Sequence, residues 1–143
     1  MFRPGRRLFT ITSICLMLVA LAHTLGHFQP RPQDAATANL TATMMSYKND
    51  LGFGMSPSAL DITKSLSLFM GVTLFFLGLQ NLIIAKQDET GRLVRSIAFL
   101  NVICVGALIA IFWVYRIPPP LIMLAVVEIL FVLSLLLPVR LRV

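Results

Sequence analysis

Four long apolar stretches, separated by polar links, organise this chain at about residues 8–28, 62–85, 93–115 and 121–138. Each can cross a hydrocarbon core of about 30 Å, which takes about 20 helical residues. Helix is the form expected, because a chain in lipid must satisfy its own backbone hydrogen bonds. The alternation that a membrane strand requires is absent.

The links set the topology. Residues 86–92 hold a tight polar turn, Gln87-Asp88-Glu89-Thr90-Gly91, and Arg116-Ile117-Pro118-Pro119-Pro120 is a second tight connection stiffened by prolines. Short links force antiparallel neighbours. The fold expected is all-α: an integral membrane four-helix bundle, up-down-up-down, forming a single transmembrane domain over residues 1–143. Ser67, Gly71 and Gly78 make a small-residue face on the second span, and Gly106 with Ala110 does so on the third. Such faces let helix backbones approach where lipid supplies no hydrophobic drive.

The first outer loop, about residues 29–60, is the one sizeable piece outside the spans. Gln29-Pro30-Arg31-Pro32 stops the first helix, since proline cannot continue it without losing a hydrogen bond. Asp34 can then cap a short amphipathic helix bearing Leu40, Met44, Tyr47 and Leu51 on one face. We expect that stripe to pack over the bundle, with the membrane surface or a partner as alternatives. Gly52, Gly54 and Pro57 end it, and Ser58 with Asp61 has the spacing of a capping box for the second span. Asn39-Leu40-Thr41 matches a glycosylation sequon, a pattern short enough to arise by chance.

Composition agrees with a lipid solvent. The chain is 57 % hydrophobic and 13 % charged, against about 25 % charged in soluble domains. Its net charge of +6 would suggest nucleic acid in a soluble protein. Here the basic residues flank apolar runs, which suits anionic headgroups, so no nucleic-acid role is read. Arg3, Arg6, Arg7, Lys86, Arg92, Arg95, Arg140 and Arg142 fall on one side, against Arg31, Lys48, Lys64 and Arg116 on the other. The richer side is expected in the cytoplasm, with both termini. Residues 1–22 also have the layout of a secretory signal ending at Ala20-Leu21-Ala22. The apolar run continues to Leu25 and Phe28, so an uncleaved first helix is expected. Cys15 and Cys104 lie within apolar runs and lack the spacing of a zinc or disulfide framework.

Polar side chains within a membrane each need a partner or a task. His23 and His27, four apart, share a face of the first helix, and Glu128 is the one carboxylate deep within a span. At about 1.5 Å per residue, His23 and Glu128 both lie about 8–11 Å below the outer boundary. Asp61, Lys64, Tyr115 and Arg116 stand near outer helix ends.

Three readings compete for an outward-facing polar pocket of His23, His27, Glu128 and Asp61. In the first, a histidine pairs with Glu128 and locks two helices together. In the second, His23, His27 and Glu128 ligate a divalent metal such as zinc or iron, although H-x-x-x-H lacks the glutamate of H-E-x-x-H. In the third, Glu128 carries a proton or binds a cation. A small multidrug exporter would fit the span count, but its usual carboxylate lies in the first helix. The two histidines cannot serve as opposite axial ligands of one haem, being on one helix face. No cofactor is required by any motif. Gln80, Asn81 and Asn101 are expected to hydrogen-bond the second and third helices together, and Trp113 with Tyr115 suits an interfacial belt. No phosphate-binding glycine loop or nucleophile elbow is present.

His23-Thr24-Leu25-Gly26-His27-Phe28, Met44-Met45 with Tyr47-Lys48, Ser65-Leu66-Ser67-Leu68-Phe69 and Leu77-Gly78-Leu79-Gln80-Asn81-Leu82 together resemble a family of small, uncharacterised bacterial four-span membrane proteins. The resemblance covers most of the first two spans and their loop, and implies a bacterial inner membrane but no activity. The functional expectation is a non-enzymatic accessory subunit or small-ligand binder, embedded in a lipid bilayer and associating as a homo-oligomer or with a membrane protein partner. The alternatives are a metal-dependent or redox enzyme using His23, His27 and Glu128, and a small proton-coupled transporter using Glu128.

Overall fold

The structure is a computed structural model, described here for residues 4–29 and 34–138. Arg3, Pro30, Arg31, Pro32, Arg140 and Arg142, which enter the charge and helix-stop readings, lie outside the described residues. The elements are α1 (Pro4–Phe28), α2 (Ala35–Ser46), α3 (Ala59–Gln87), α4 (Arg92–Val114) and α5 (Pro118–Leu136). Among the described residues there is no strand, only an isolated antiparallel bridge between Lys48 and Ser58. Four helices, α1, α3, α4 and α5, are long and apolar enough to cross a membrane. The chain is an all-helical, multi-pass membrane protein.

The helix ends follow local chemistry. Asp34 caps α2 by accepting the Thr37 N–H at 2.8 Å. Ser58 and Asp61 open α3 as a reciprocal box: Asp61 Oδ2 accepts from the Ser58 hydroxyl at 2.6 Å and its N–H at 3.0 Å, while Ser58 Oγ accepts the Asp61 N–H at 3.1 Å. The helix α5 starts at Pro118, ahead of the expected 121. Prolines suit a first turn, whose N–H groups have no helical partner in any case. Where α4 stops, Ile117 N–H reaches Phe112 O at 3.0 Å and Arg116 N–H reaches Trp113 O at 3.2 Å. This is a Schellman stop, with Arg116 holding the left-handed position (φ 53°) that usually takes glycine.

Contacts divide the chain into two compact units. One comprises Met1–Val19 and Leu74–Val143. Its core is a set of seams at three- and four-residue spacing: Phe9, Thr12, Ser13 and Leu16 on α1; Leu74, Gly78, Asn81 and Ala85 on α3; Val94, Ala98, Asn101 and Val105 on α4; Leu124, Val127, Phe131 and Ser134 on α5. Phe9 and Phe131, both wholly buried, meet with ring centroids 5.9 Å apart. α1 and α3 approach closely at Gly78, where an added Cβ would collide with the Met17 side chain and sit 2.9 Å from Ser13 O and 3.4 Å from Met17 N. Outward faces carry large apolar side chains, among them Ile14, Phe76, Ile103 and Ile129. At one end, Arg6 donates to Lys86 O at 3.2 Å, closing an orphan carbonyl of α3, and Gly5 N–H donates to Pro138 O at 3.2 Å.

The α3–α4 turn is built on Asp88, whose carboxylate is buried. Oδ1 accepts from Thr90 N–H, the Thr90 hydroxyl and Gly91 N–H at 2.9–3.0 Å, and Oδ2 accepts Val94 N–H at 2.8 Å. This carboxylate replaces the side-chain cap that Gly91, at the N-cap of α4, cannot supply.

The other unit is Ala20–Thr73. There α1 and α3 meet again at Gly71, whose added Cβ would collide with Thr24 Oγ1 and lie 3.6 Å from both Ala20 O and His23 Cδ2. The expected small-residue face of Ser67, Gly71 and Gly78 is therefore a packing face. Residues 47–59 form a narrow hairpin, with Asn49 N–H to Pro57 O at 3.0 Å, Ala59 N–H to Tyr47 O at 2.9 Å and Leu51 N–H to Met55 O at 3.1 Å. The stripe expected to pack over the bundle is largely exposed: α2 buries no residue, and Leu40, Tyr47 and Leu51 are more than half exposed. Most of its residues are alanine and threonine, whose small side chains give no face deep enough to bury a residue.

Two outcomes are expected. Gly78→Ala must push α1 backbone away and should lower stability by about 1–3 kcal/mol, read as an earlier thermal transition in detergent; an unchanged transition would refute the close approach. Burial pushes the Asp88 carboxyl up, but the hydrogen bonds from Val94, Thr90 and Gly91 outweigh it and hold its pKa below the ordinary value. The folded state therefore binds this proton less readily than the unfolded one. Its stabilisation is complete above the ordinary aspartate value of about 3.9 and is lost as pH falls through the lowered folded value. Asp88→Ala should cost about 1–3 kcal/mol at neutral pH and flatten that acid limb in pH-dependent melts.

Candidate functional site

The polar residues anticipated for one pocket fall in both units: His23, His27 and Asp61 in Ala20–Thr73, and Glu128 in the unit containing Leu74–Val143. His23 is half-buried, and its Nε2 lies 3.1 Å from both the carbonyl and the hydroxyl of Ser67 on α3. Whichever tautomer it takes, one of these contacts is a hydrogen bond that ties α1 to α3. Asp61 is exposed and engaged as the cap of α3. Among the described residues no three His, Cys, Asp or Glu side chains gather into a metal-binding group.

What the second unit does contain is a cleft of about 470 Å³, lined by His27, Phe28, Gln29, Thr41, Leu60 and Lys64. The end of α1 supplies His27 and Phe28, α2 supplies Thr41, and the first turns of α3 supply Leu60 and Lys64. The edge-to-face contact of His27 with Phe28, centroids 5.2 Å apart, sets the imidazole against an aromatic wall. Leu60 is buried and forms an apolar floor. The Thr41 hydroxyl donates to Thr37 O at 2.8 Å, leaving its lone pairs as acceptors. Lys64 brings an ammonium, Gln29 an amide and His27 a ring nitrogen. No carboxylate lines the cleft among the described residues.

The first unit holds two further polar features. Glu128 Oε2 is buried with no hydrogen-bond partner, and Oε1 faces α4 at Gly106, 3.5 Å from where a Cβ would stand. Asn81 is wholly buried with neither amide atom bonded, and Asn101 Nδ2 is likewise unpartnered. The helix-to-helix hydrogen bond expected of Asn81 is thus not made, and Gln80 is exposed. Ala110 is exposed too, so of the small pair on α4 only Gly106 faces a neighbour. Trp113 and Tyr115 are exposed at the end of α4, and Trp113 joins Phe112, Arg116, Ile117, Pro118 and Leu121 around an apolar recess of about 340 Å³.

Sequence reasoning placed His27 and Lys64 near outer helix ends but did not foresee Gln29 and Thr41 beside them. No spacing rule connects these residues, because their meeting depends on how α2 returns toward α1 and α3. The class defined by this fold is a four-helix membrane bundle with a short helix and a hairpin between the first two long apolar helices. No family model, curated protein or solved structure matches the chain.

Proposed function

We propose that this protein is a non-enzymatic, multi-pass protein of a bacterial inner membrane that binds a small anionic ligand in the cleft at His27 and Lys64. The observation carrying this reading is the lining itself. Lys64, Gln29 and His27 offer hydrogen-bond donors around one opening whose described lining has no carboxylate, and Phe28 with Leu60 supplies apolar walls. A volume of about 470 Å³ suits a small organic acid or a phosphorylated metabolite. Ammonium donors to ionised oxygens form the stronger class of hydrogen bond. The bacterial location is supported by the resemblance of the first two spans. The outward orientation is supported by Arg6, Arg7, Lys86, Arg92 and Arg95, which cluster at the opposite helix ends.

Thermal melts in nanodiscs against mono-, di- and tricarboxylates and inorganic phosphate test the cleft. At least one should raise the transition in a concentration-dependent way, by about 2.7 kcal/mol at a hundredfold excess over Kd. Lys64→Gln should abolish that rise without altering the unliganded melt. A panel with no effect on the wild type would remove the reading.

A second reading, a small proton-coupled transporter, has Glu128 in its favour: a carboxyl within a span, with one oxygen buried and unpartnered, is suited to exchanging a proton. In proteoliposomes, Glu128→Gln should then abolish flux driven by a pH gradient; undiminished flux in that variant would dismiss it.

A further inference from the structure

The segment between α1 and α3 leaves almost all of its apolar surface uncovered. Nothing on α2 is buried, and Leu40, Met45, Tyr47, Leu51, Phe53 and Met55 are each more than half exposed. Phe53 is the extreme, 98 % exposed at the tip of the hairpin. It is also held there by backbone. Gly52, Phe53 and Gly54 take φ of 76°, 54° and 75°, three successive left-handed residues. A bulky residue at positive φ is strained. The turn is fixed by Gly52 N–H to Asp50 Oδ1 at 2.9 Å and Met55 N–H to Gly52 O at 3.0 Å. An aromatic presented in this way contacts nothing in its own unit.

We propose that this segment is a membrane-interface anchor, with the hairpin tip inserting Phe53, flanked by Leu51 and Met55, into the headgroup–acyl boundary of the leaflet from which α1 and α3 emerge. Three observations select lipid over a protein partner. The hairpin runs directly into α3 through Ser58 and Ala59, so its base is at the mouth of a membrane span. Residues 35–47 contain no charged side chain, and the hairpin arms add only Lys48 near the base and Asp50, whose carboxylate is engaged by the Gly52 N–H of the turn. The exposed apolar residues are distributed over α2 (Leu40, Met45), both arms of the hairpin (Tyr47, Leu51, Met55) and its tip (Phe53), as an extended apolar medium accommodates. Interfacial burial of this kind favours aromatic and aliphatic side chains beside a cation that can reach the headgroups, the place Lys48 occupies.

The sequence has a single tryptophan, Trp113. The full-length Trp113→Phe protein carrying Phe53→Trp, in phosphatidylcholine nanodiscs, makes the tip the sole indole. Expected are emission blue-shifted from that of free tryptophan, strong quenching by lipids brominated close to the headgroups, and several-fold protection from aqueous iodide. Emission at the position of free tryptophan, open to iodide and indifferent to brominated lipid, would overturn the anchor and leave the tip for a protein partner. Leu51→Trp in the same background provides the same readout should the tip variant fail to fold.

Discussion

The fold depends on how closely α1 can approach α3. In lipid, two apolar helices gain little by touching, because the acyl chains they displace are as apolar as they are. Contact must come from close packing, and here it comes at Gly71 and Gly78. At Gly78 the opposing atoms include backbone Ser13 O and Met17 N beside the Met17 side chain, and at Gly71 they include the hydroxyl of Thr24, which is itself bonded to Ala20 O at 2.9 Å. The same pair of helices is tied by His23 to Ser67 and by Arg6 to Lys86 O. A histidine that sequence alone offers to a metal thus has a structural occupation in helix pairing.

The bundle is apolar outside as well as inside, and some of its polar side chains are buried. Large apolar side chains face outward, while Thr12, Ser13, Asn81, Asn101 and Ser134 sit in the buried seams. Thr12, Ser13 and Ser134 donate to their own helix carbonyls and need nothing from a neighbour. The asparagines have no such local escape, and Asn81 remains unbonded. Asp88 shows the opposite solution at a helix junction, where four donors converge on one buried carboxylate and make a glycine-started helix tenable.

The segment between α1 and α3 follows a different logic from the spans. Its elements are capped, turned and bridged locally, by Asp34, by the box of Ser58 and Asp61, and by the hairpin, with little buried surface to stabilise them. That leaves many of its apolar side chains exposed and its polar donors open at the cleft. The cleft at His27 and Lys64 and the tip at Phe53 are consequences of the same economy: a segment ordered by backbone hydrogen bonds keeps its side chains available.

Length and hydropathy alone determined the four spans, their helical form and their alternation, because a hydrocarbon layer permits few other solutions. The caps at Asp34 and Ser58 were legible for the same kind of reason, being local hydrogen-bond geometry written within four residues. Beyond the small-residue face of Ser67, Gly71 and Gly78, the seams were not legible, since helices apolar on every side carry no periodic signal to mark which face turns inward. Whether His23 meets Ser67, whether α2 packs or stands free, and which residues surround Lys64 were decided only by tertiary structure. Each depends on the rotation of a helix about its axis and on the path of a loop, and both are set by contacts between residues far apart in the chain.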